Sequence, residues 1–199
     1  DYATVADNRQ AFAAMFAAFY DNNDAFTAQT LAQQQDSRFL IHNPPQPPLS
    51  TEELDSIHAL DFEREAHPLH RQQGAVKALE TIRFALTTHR GCYGECNFCA
   101  IAVHQGRTIV ERSQQSIVRE AELLAAHPAF KGMIADVGGP TANMFGFECA
   151  KKLAKGACRD KRCLFPTICP SLKINHGPLI TLLQRLRRIK NIKKIAVAS

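Results

Sequence analysis

Cys92, Cys96 and Cys99 stand in the run Cys92-Tyr93-Gly94-Glu95-Cys96-Asn97-Phe98-Cys99, a C-x3-C-x2-C pattern. Thiolates are soft ligands, and three at this spacing can wrap one loop around a cubane iron–sulfur cluster and bind three of its irons. No fourth cysteine lies within the loop, so one iron would stay open to an outside ligand. Iron–sulfur electron carriers instead offer four thiolates. A structural zinc site would also need a fourth protein ligand, and His89 or His104 could supply it. The aromatic Phe98 before the last cysteine, and the position of the loop directly after a predicted strand, favour the open-iron cluster.

Cys149, Cys158, Cys163 and Cys169 form a second group, spaced x8, x4 and x5, which matches no short zinc-knuckle pattern. These thiols can ligate an auxiliary cluster or a zinc ion, pair as two disulfides in air, or pack as small hydrophobes. Arg159, Lys161 and Arg162 would stabilise thiolates at Cys158 and Cys163. All 7 cysteines fall between Cys92 and Cys169, an odd and clustered set that suits metal ligation in a reducing cytoplasm better than a disulfide framework. The opening Asp1-Tyr2-Ala3 has no basic n-region of a signal peptide and lacks a natural start, so the chain reads as a piece of something larger. No apolar run approaches the ~18 residues that span a bilayer.

The elements that must position these residues fall into two parts, 1–80 and 81–199. Phe12, Met15, Phe16, Phe19 and Tyr20 recur at helical spacing and predict an amphipathic helix packed on the body of the protein. Gln29 to Gln35 continues as a second helix. Asn43-Pro44-Pro45-Gln46-Pro47-Pro48 is an extended connector, because four prolines forbid a helix or a central strand. Ser50 or Thr51, followed by Glu52 and Glu53, marks a helix start. From there the rhythm changes to a strand at Thr81–Thr88, a helix at Ser113–Ala126 with Ile117, Ala121, Leu124 and Ala125 inward, and a strand at Gly132–Val137. A helix at Pro178–Ile189 and a strand at Ile192–Ala198 follow. Strand, helix, strand, helix, strand is the signature of a parallel sheet.

The net charge of +5 conceals an asymmetry. Residues 151–194 carry 13 Lys and Arg against the single acid Asp160, or +12, leaving −7 for the remainder. Such a segment is either a solvated helical face or a surface for a phosphate-rich partner such as RNA.

The cysteine loop resembles the motif of the radical S-adenosylmethionine (SAM) superfamily, C-x3-C-x-aromatic-C, in the loop after the first barrel strand. The resemblance extends over nearly the whole chain to the YgiQ-like family of functionally uncharacterised proteins. Thr88-His89-Arg90-Gly91-Cys92, His104-Gln105-Gly106-Arg107, Phe130-Lys131-Gly132, Asp136 to Met144, Asn43-Pro44-Pro45 and the Cys158 to Pro170 stretch carry it. It implies a [4Fe-4S] cluster on Cys92, Cys96 and Cys99 whose open iron chelates the methionine moiety of SAM. Reductive cleavage of SAM would then yield a 5′-deoxyadenosyl radical. Phe98 would lie beside the adenine.

Gly138-Gly139-Pro140 stands where the superfamily places Gly-Gly-Glu. Its backbone could approach the SAM amino group, while Pro140 removes the carboxylate; the alternative is a tight turn. Arg107 and Arg112 would pair with a carboxylate or phosphate, or form surface ion pairs.

The resemblance further implies an α/β fold, a partial (β/α) TIM-like barrel with about three parallel strands and a helical N-terminal extension. Intact relatives would be longer, and an unpaired parallel edge would be exposed here. It also implies an electron donor, a cytoplasmic location and no membrane partner, and leaves the substrate unnamed. An RNA-modifying enzyme, by likeness of the Arg112-Ser113 loop to methylthiotransferases, and a non-catalytic zinc or iron–sulfur module are the alternatives.

Overall fold

The structure is a computed structural model that describes residues 1–141 and 143–198. In chain order the elements are α1 (Tyr2–Asp7), α2 (Arg9–Asp21), β1 (Leu31–Gln35), β2 (Arg38–His42), α3 (Thr51–His58), α4 (Pro68–Arg71), α5 (Lys77–Ile82), β3 (Ala85–Thr87) and β4 (His89–Arg90). There follow α6 (Ile101–His104), β5 (Val110–Glu111), α7 (Gln114–Ala126), β6 (Met133–Ile134), β7 (Asp136–Gly138), α8 (Ala150–Lys155), α9 (Gly177–Leu186) and β8 (Lys194–Ile195). The chain passes back and forth between two compact units. Residues 1–48, 92–108 and 149–172 form one, and residues 49–91, 109–148 and 173–199 the other.

The second unit carries the parallel strands. β3 pairs with β7 in parallel, Leu86 opposite Val137, and β6 pairs with β8 in parallel, Ile134 opposite Ile195. The segment from Met133 to Gly138 is thus bonded to an earlier and a later strand. Its irregularity sits at Ala135. The Ala196 N–H donates to the Ile134 carbonyl at 3.0 Å, while the Ala196 carbonyl accepts from the Val137 N–H at 3.1 Å. A regular ladder would take that second bond from residue 136, so one extra residue is accommodated as a bulge. The Ala135 N–H turns instead to the Phe84 carbonyl at 3.0 Å.

α7 and α9 cover these strands with one apolar core. Leu86, Ile117, Ala121, Leu124, Ile134, Val137, Leu182 and Leu186 are buried in it together. The inward face Ile117, Ala121, Leu124 and Ala125 is buried as its spacing predicts, and Ser113 caps α7 by accepting from the Ser116 N–H. α3 begins in a full capping box between Ser50 and Glu53. The architecture is mixed α/β with parallel strands; the described strands do not form a barrel.

Several expectations are corrected. Lys77–Ile82 is helical, so the strand expected at Thr81–Thr88 shortens to Ala85–Thr87. Lys77, Ala78, Leu79 and Glu80 are strong helix formers that outweigh the alternation after them. Gln29–Gln35 is no helix: β1 pairs antiparallel with β2, Gln35 opposite Arg38. Asp36, at φ 51°, makes the two-residue turn between them. α9 ends at Leu186 rather than Ile189. No residue of the stripe on α2 is fully buried: Phe12 and Phe16 are 52% and 48% exposed, while Met15, Phe19 and Tyr20 are partly covered.

Truncating Leu182, fully buried between helix and strands, should cost about 2–5 kcal/mol. Urea unfolding of Leu182→Ala against the parent measures the loss.

Candidate metal centre and its charge network

The cysteine loop belongs wholly to the first unit. Its entry is fixed by the Cys92 N–H donating to the Gly106 carbonyl at 3.2 Å, and its exit by the Cys99 N–H donating to the Cys96 carbonyl at 3.0 Å. Cys92 is buried, Cys96 exposed and Cys99 intermediate. The Gly94 N–H donates to Cys92 Sγ at 3.2 Å. A Cβ on Gly94 would stand 3.2 Å from Cys92 Sγ and 3.5 Å from Cys96 Sγ, so the two sulfurs flank a position where a side chain would be tight against Cys92.

The Cys92 thiol is pushed up by burial and, less strongly, by the neighbouring Cys96 and Cys99. The backbone N–H groups of Gly94 and Glu95 pull it back toward the thiolate. A cation bound by all three would reverse the mutual repulsion, because each thiolate would then face positive charge. Donor type, the N–H···S bonds and the glycine cradle therefore fit a thiolate-bound metal group. Among the described residues no three or more His, Cys, Asp or Glu side chains are drawn around a common metal position.

Beside the loop lies a cleft of about 430 Å³, walled by Phe16, Phe19 and Tyr20 of α2 and bordered by Cys96, Phe98, Cys99 and Arg162. Phe98 is 92% exposed at the edge of this cleft.

A buried charge network, which the sequence reading did not contain, underlies the loop. Glu95 has φ 49°, in the left-handed region that disfavours a side chain by roughly 1–2 kcal/mol. Its carboxylate accepts from the Tyr20 hydroxyl at 2.8 Å and from Lys152 Nζ at 2.9 Å, and Arg107 Nη1 lies 3.7 Å away. Lys152, 1% exposed, also donates to the Arg107 carbonyl at 2.9 Å and reaches the Cys163 thiol. Burial pulls the Lys152 ammonium down, but the Glu95 charge, its hydrogen bond and Cys163 together hold it above the ordinary lysine value. Arg107 stacks over the Tyr20 ring, 4.7 Å from its centroid. Tyr20 was legible only as the end of an apolar stripe, and Lys152 only as one charge in a basic run.

Of the second cysteine group, Cys149 and Cys163 are buried and within electrostatic reach of each other, while Cys158 and Cys169 are half-exposed. Burial raises the Cys163 thiol against the pull of Lys152, whereas the Ser171 N–H lowers Cys169.

In the other unit, Arg112 is no surface charge. It is 2% exposed, pairs with Glu120, and donates to Ser116 Oγ at 2.8 Å and the Thr87 carbonyl at 2.9 Å. Arg107 is likewise buried, so the alternative of a surface ion pair fails for both. Gly138 ends β7, and its carbonyl accepts from the Thr88 N–H at 2.7 Å. A Cβ on Gly139 would fall 2.6 Å from His89 Nε2 and 2.7 Å from the His89 carbonyl oxygen, so this position requires glycine for close packing. His89 is fully buried, its Nδ1 bonded to Thr88 Oγ1 at 2.8 Å and its Nε2 without a partner among the described residues. His104, the other candidate fourth zinc ligand, is exposed at the end of α6.

Comparison with known proteins shows the family of the chain. Residues 1–85 match the family model described as Radical SAM N-terminal. A UPF0313 protein of Fusobacterium nucleatum is 55% identical over 188 residues, covering 94% of this chain and 33% of that protein. UPF0313 proteins of Methanocella arvoryzae and Clostridium botulinum are 45% and 41% identical, over 100% of this chain and 33% and 31% of theirs. These matches bear out the resemblance: the chain is a relative of the radical SAM superfamily, of the YgiQ-like, UPF0313 kind. It spans about a third of the length of these curated relatives. Among the described residues no helix is long and apolar enough to cross a membrane.

Burial lowers His89 from 6.5 to about 4. Between those values the unfolded chain takes up a proton that the folded one refuses, so stability is full above pH 6.5 and falls as pH drops toward 4. The loss should be on the order of 3 kcal/mol, read by urea unfolding across that range, and His89→Phe should remove it. Gly139→Ala should destabilise by about 1–3 kcal/mol through its clash with the His89 carbonyl, seen in the same unfolding assay.

Proposed function

We propose that the chain is the cluster-bearing part of a radical SAM enzyme whose reaction is unassigned. Cys92, Cys96 and Cys99 would hold a [4Fe-4S] cluster. The observation that supports this most directly is the loop geometry: Cys92 and Cys96 sulfurs flank a side-chain-free Gly94 and receive backbone N–H bonds at Cys92. When bound, such a cluster supplies an electron for reductive cleavage of SAM to methionine and a 5′-deoxyadenosyl radical. The barrel architecture remains part of this proposal, with the parallel strands β3, β6–β7 and β8 as its first portion.

The chain's own residues have simpler tasks. Gly94 leaves room between two sulfurs, and its N–H, with that of Glu95, favours the thiolate at Cys92. Phe98, exposed at the cleft, would cover the loop from water and lie against the adenine. The Gly138-Gly139-Pro140 backbone is proposed as a contact for the SAM amino group, carried by its own motif. Cys149, Cys158, Cys163 and Cys169 are proposed as a second metal site on donor type alone. An electron donor and a cytoplasmic setting follow from the same reading.

A narrower reading makes the substrate RNA. Lys151, Lys155, Arg159 and Lys161 are exposed, near one another in sequence and within one unit, which supports it. Binding to RNA that weakens steeply with salt would bear this out, and salt-indifferent or absent binding would exclude it.

The decisive measurement is the electron paramagnetic resonance spectrum of the full-length protein, reconstituted anaerobically and reduced with dithionite. A reduced-cluster signal that shifts when SAM is added, and disappears in Cys96→Ala, is expected. A signal indifferent to SAM, or zinc in place of iron, would replace the proposal with a structural metal module.

A further inference from the structure

We propose that Lys152 is a positioning residue for the cysteine loop, and that with Glu95 it sets the charge felt by the metal group held there. The inference rests on the cluster reading and goes beyond it.

Glu95 is the last of the three residues between Cys92 and Cys96, directly before Cys96, and it is 5% exposed. A carboxylate cannot be buried alone without a penalty of several kcal/mol. Here its two oxygens are each answered, one by Lys152 Nζ at 2.9 Å and the other by the Tyr20 hydroxyl at 2.8 Å. Lys152 comes from α8, 57 residues further along the chain, and is itself fixed by the Arg107 carbonyl at 2.9 Å. Its ammonium lies 5.4 Å from the centre of the Tyr93 ring, the residue next to Cys92. The ion pair therefore grips the loop on both sides of Gly94, through Glu95 and Tyr93.

A buried pair of this kind is a poor device for stability, since apolar residues of similar volume often serve as well. Its location gives it a second effect. Glu95 puts a negative charge and Lys152 a positive one next to thiolates in a low-dielectric setting, where charges act strongly. Together they nearly cancel. Either alone would not, and reduction of a thiolate-bound cluster adds negative charge that each would oppose or favour.

The test uses the full-length protein as Lys152→Met, Glu95→Gln and the double variant. Iron per chain and the cluster midpoint potential are measured after reconstitution. Lys152→Met should lower the potential, Glu95→Gln should raise it, and the double variant should return toward the parent. Loss of structure alone would not move the two single variants in opposite directions, so shifts of the same sign, or none, overturn the proposal.

A metal-free arm follows alkylation of buried Cys92. Losing the bond to a charged partner should speed it about tenfold to a hundredfold in Lys152→Met, and the double variant should recover protection. If the parent holds no cluster, the cluster reading falls, and this arm alone decides the role of Lys152: faster alkylation sustains it, an unchanged rate ends it. Should Lys152→Met be insoluble, a soluble double variant supports the pairing and an insoluble one refutes it.

Discussion

The first unit depends on a charge buried where a charge is expensive. Glu95 is enclosed in the cysteine loop, and removing a carboxylate from water costs several kcal/mol unless its oxygens are answered. Lys152, Tyr20 and the more distant Arg107 answer them. Because these partners come from α8, α2 and the bend that follows α6, satisfying one carboxylate fixes three segments at once. It also holds Glu95 in a left-handed backbone conformation that an isolated peptide would avoid. The buried positions around it are thiols, Tyr93 and charged side chains more than aliphatic ones. In a unit so composed, answering both oxygens of the buried Glu95 carboxylate favours one arrangement over those that would leave them bare.

The second unit is organised by the opposite principle. Leu86, Ile134 and Val137 from the strands meet Ile117, Leu124, Leu182 and Leu186 from the helices, all nearly or fully buried. Burying such side chains is favourable by roughly 1.5–3 kcal/mol each. The unit contains its own exceptions to apolar packing. The bulge at Ala135 re-aims the strand just before Gly138 and Gly139, and the His89 ring packs where a side chain on Gly139 would stand. Bulges and close backbone approaches at a strand end are the usual means of shaping a binding loop on an otherwise regular sheet.

What could be read from the sequence was whatever has a short range. The three-cysteine motif is a local spacing, contained in eight residues. The capping box at Ser50 and the cap at Ser113 are each contained in four residues, and both formed as the residue types require. The inner face of α7 followed from one helical period. The misreadings share a cause. Thr81 to Phe84 alternates like a strand, yet the helix formers before it carried α5 to Ile82. The polar run ending at Gln35 has little to recommend it as a strand except a partner, β2, to pair with. Lys152 looked like one more solvated cation, because nothing within its own helix announces a buried carboxylate 57 residues earlier. Non-local pairing is the part of a fold that composition and periodicity do not encode.

That separation has a consequence for the order in which the molecule comes into being. A ribosome adding about 5–20 residues per second releases the cysteine loop several seconds before Lys152. During that interval Glu95 lacks the Lys152 ammonium and has only the more distant Arg107 as a counterion, which favours a loop that stays in water with its thiols open to solvent. Closure waits for α8. The nascent chain thus offers its three cysteines first and encloses Glu95 afterwards, so any group those thiols take up at that stage would arrive before burial rather than through it.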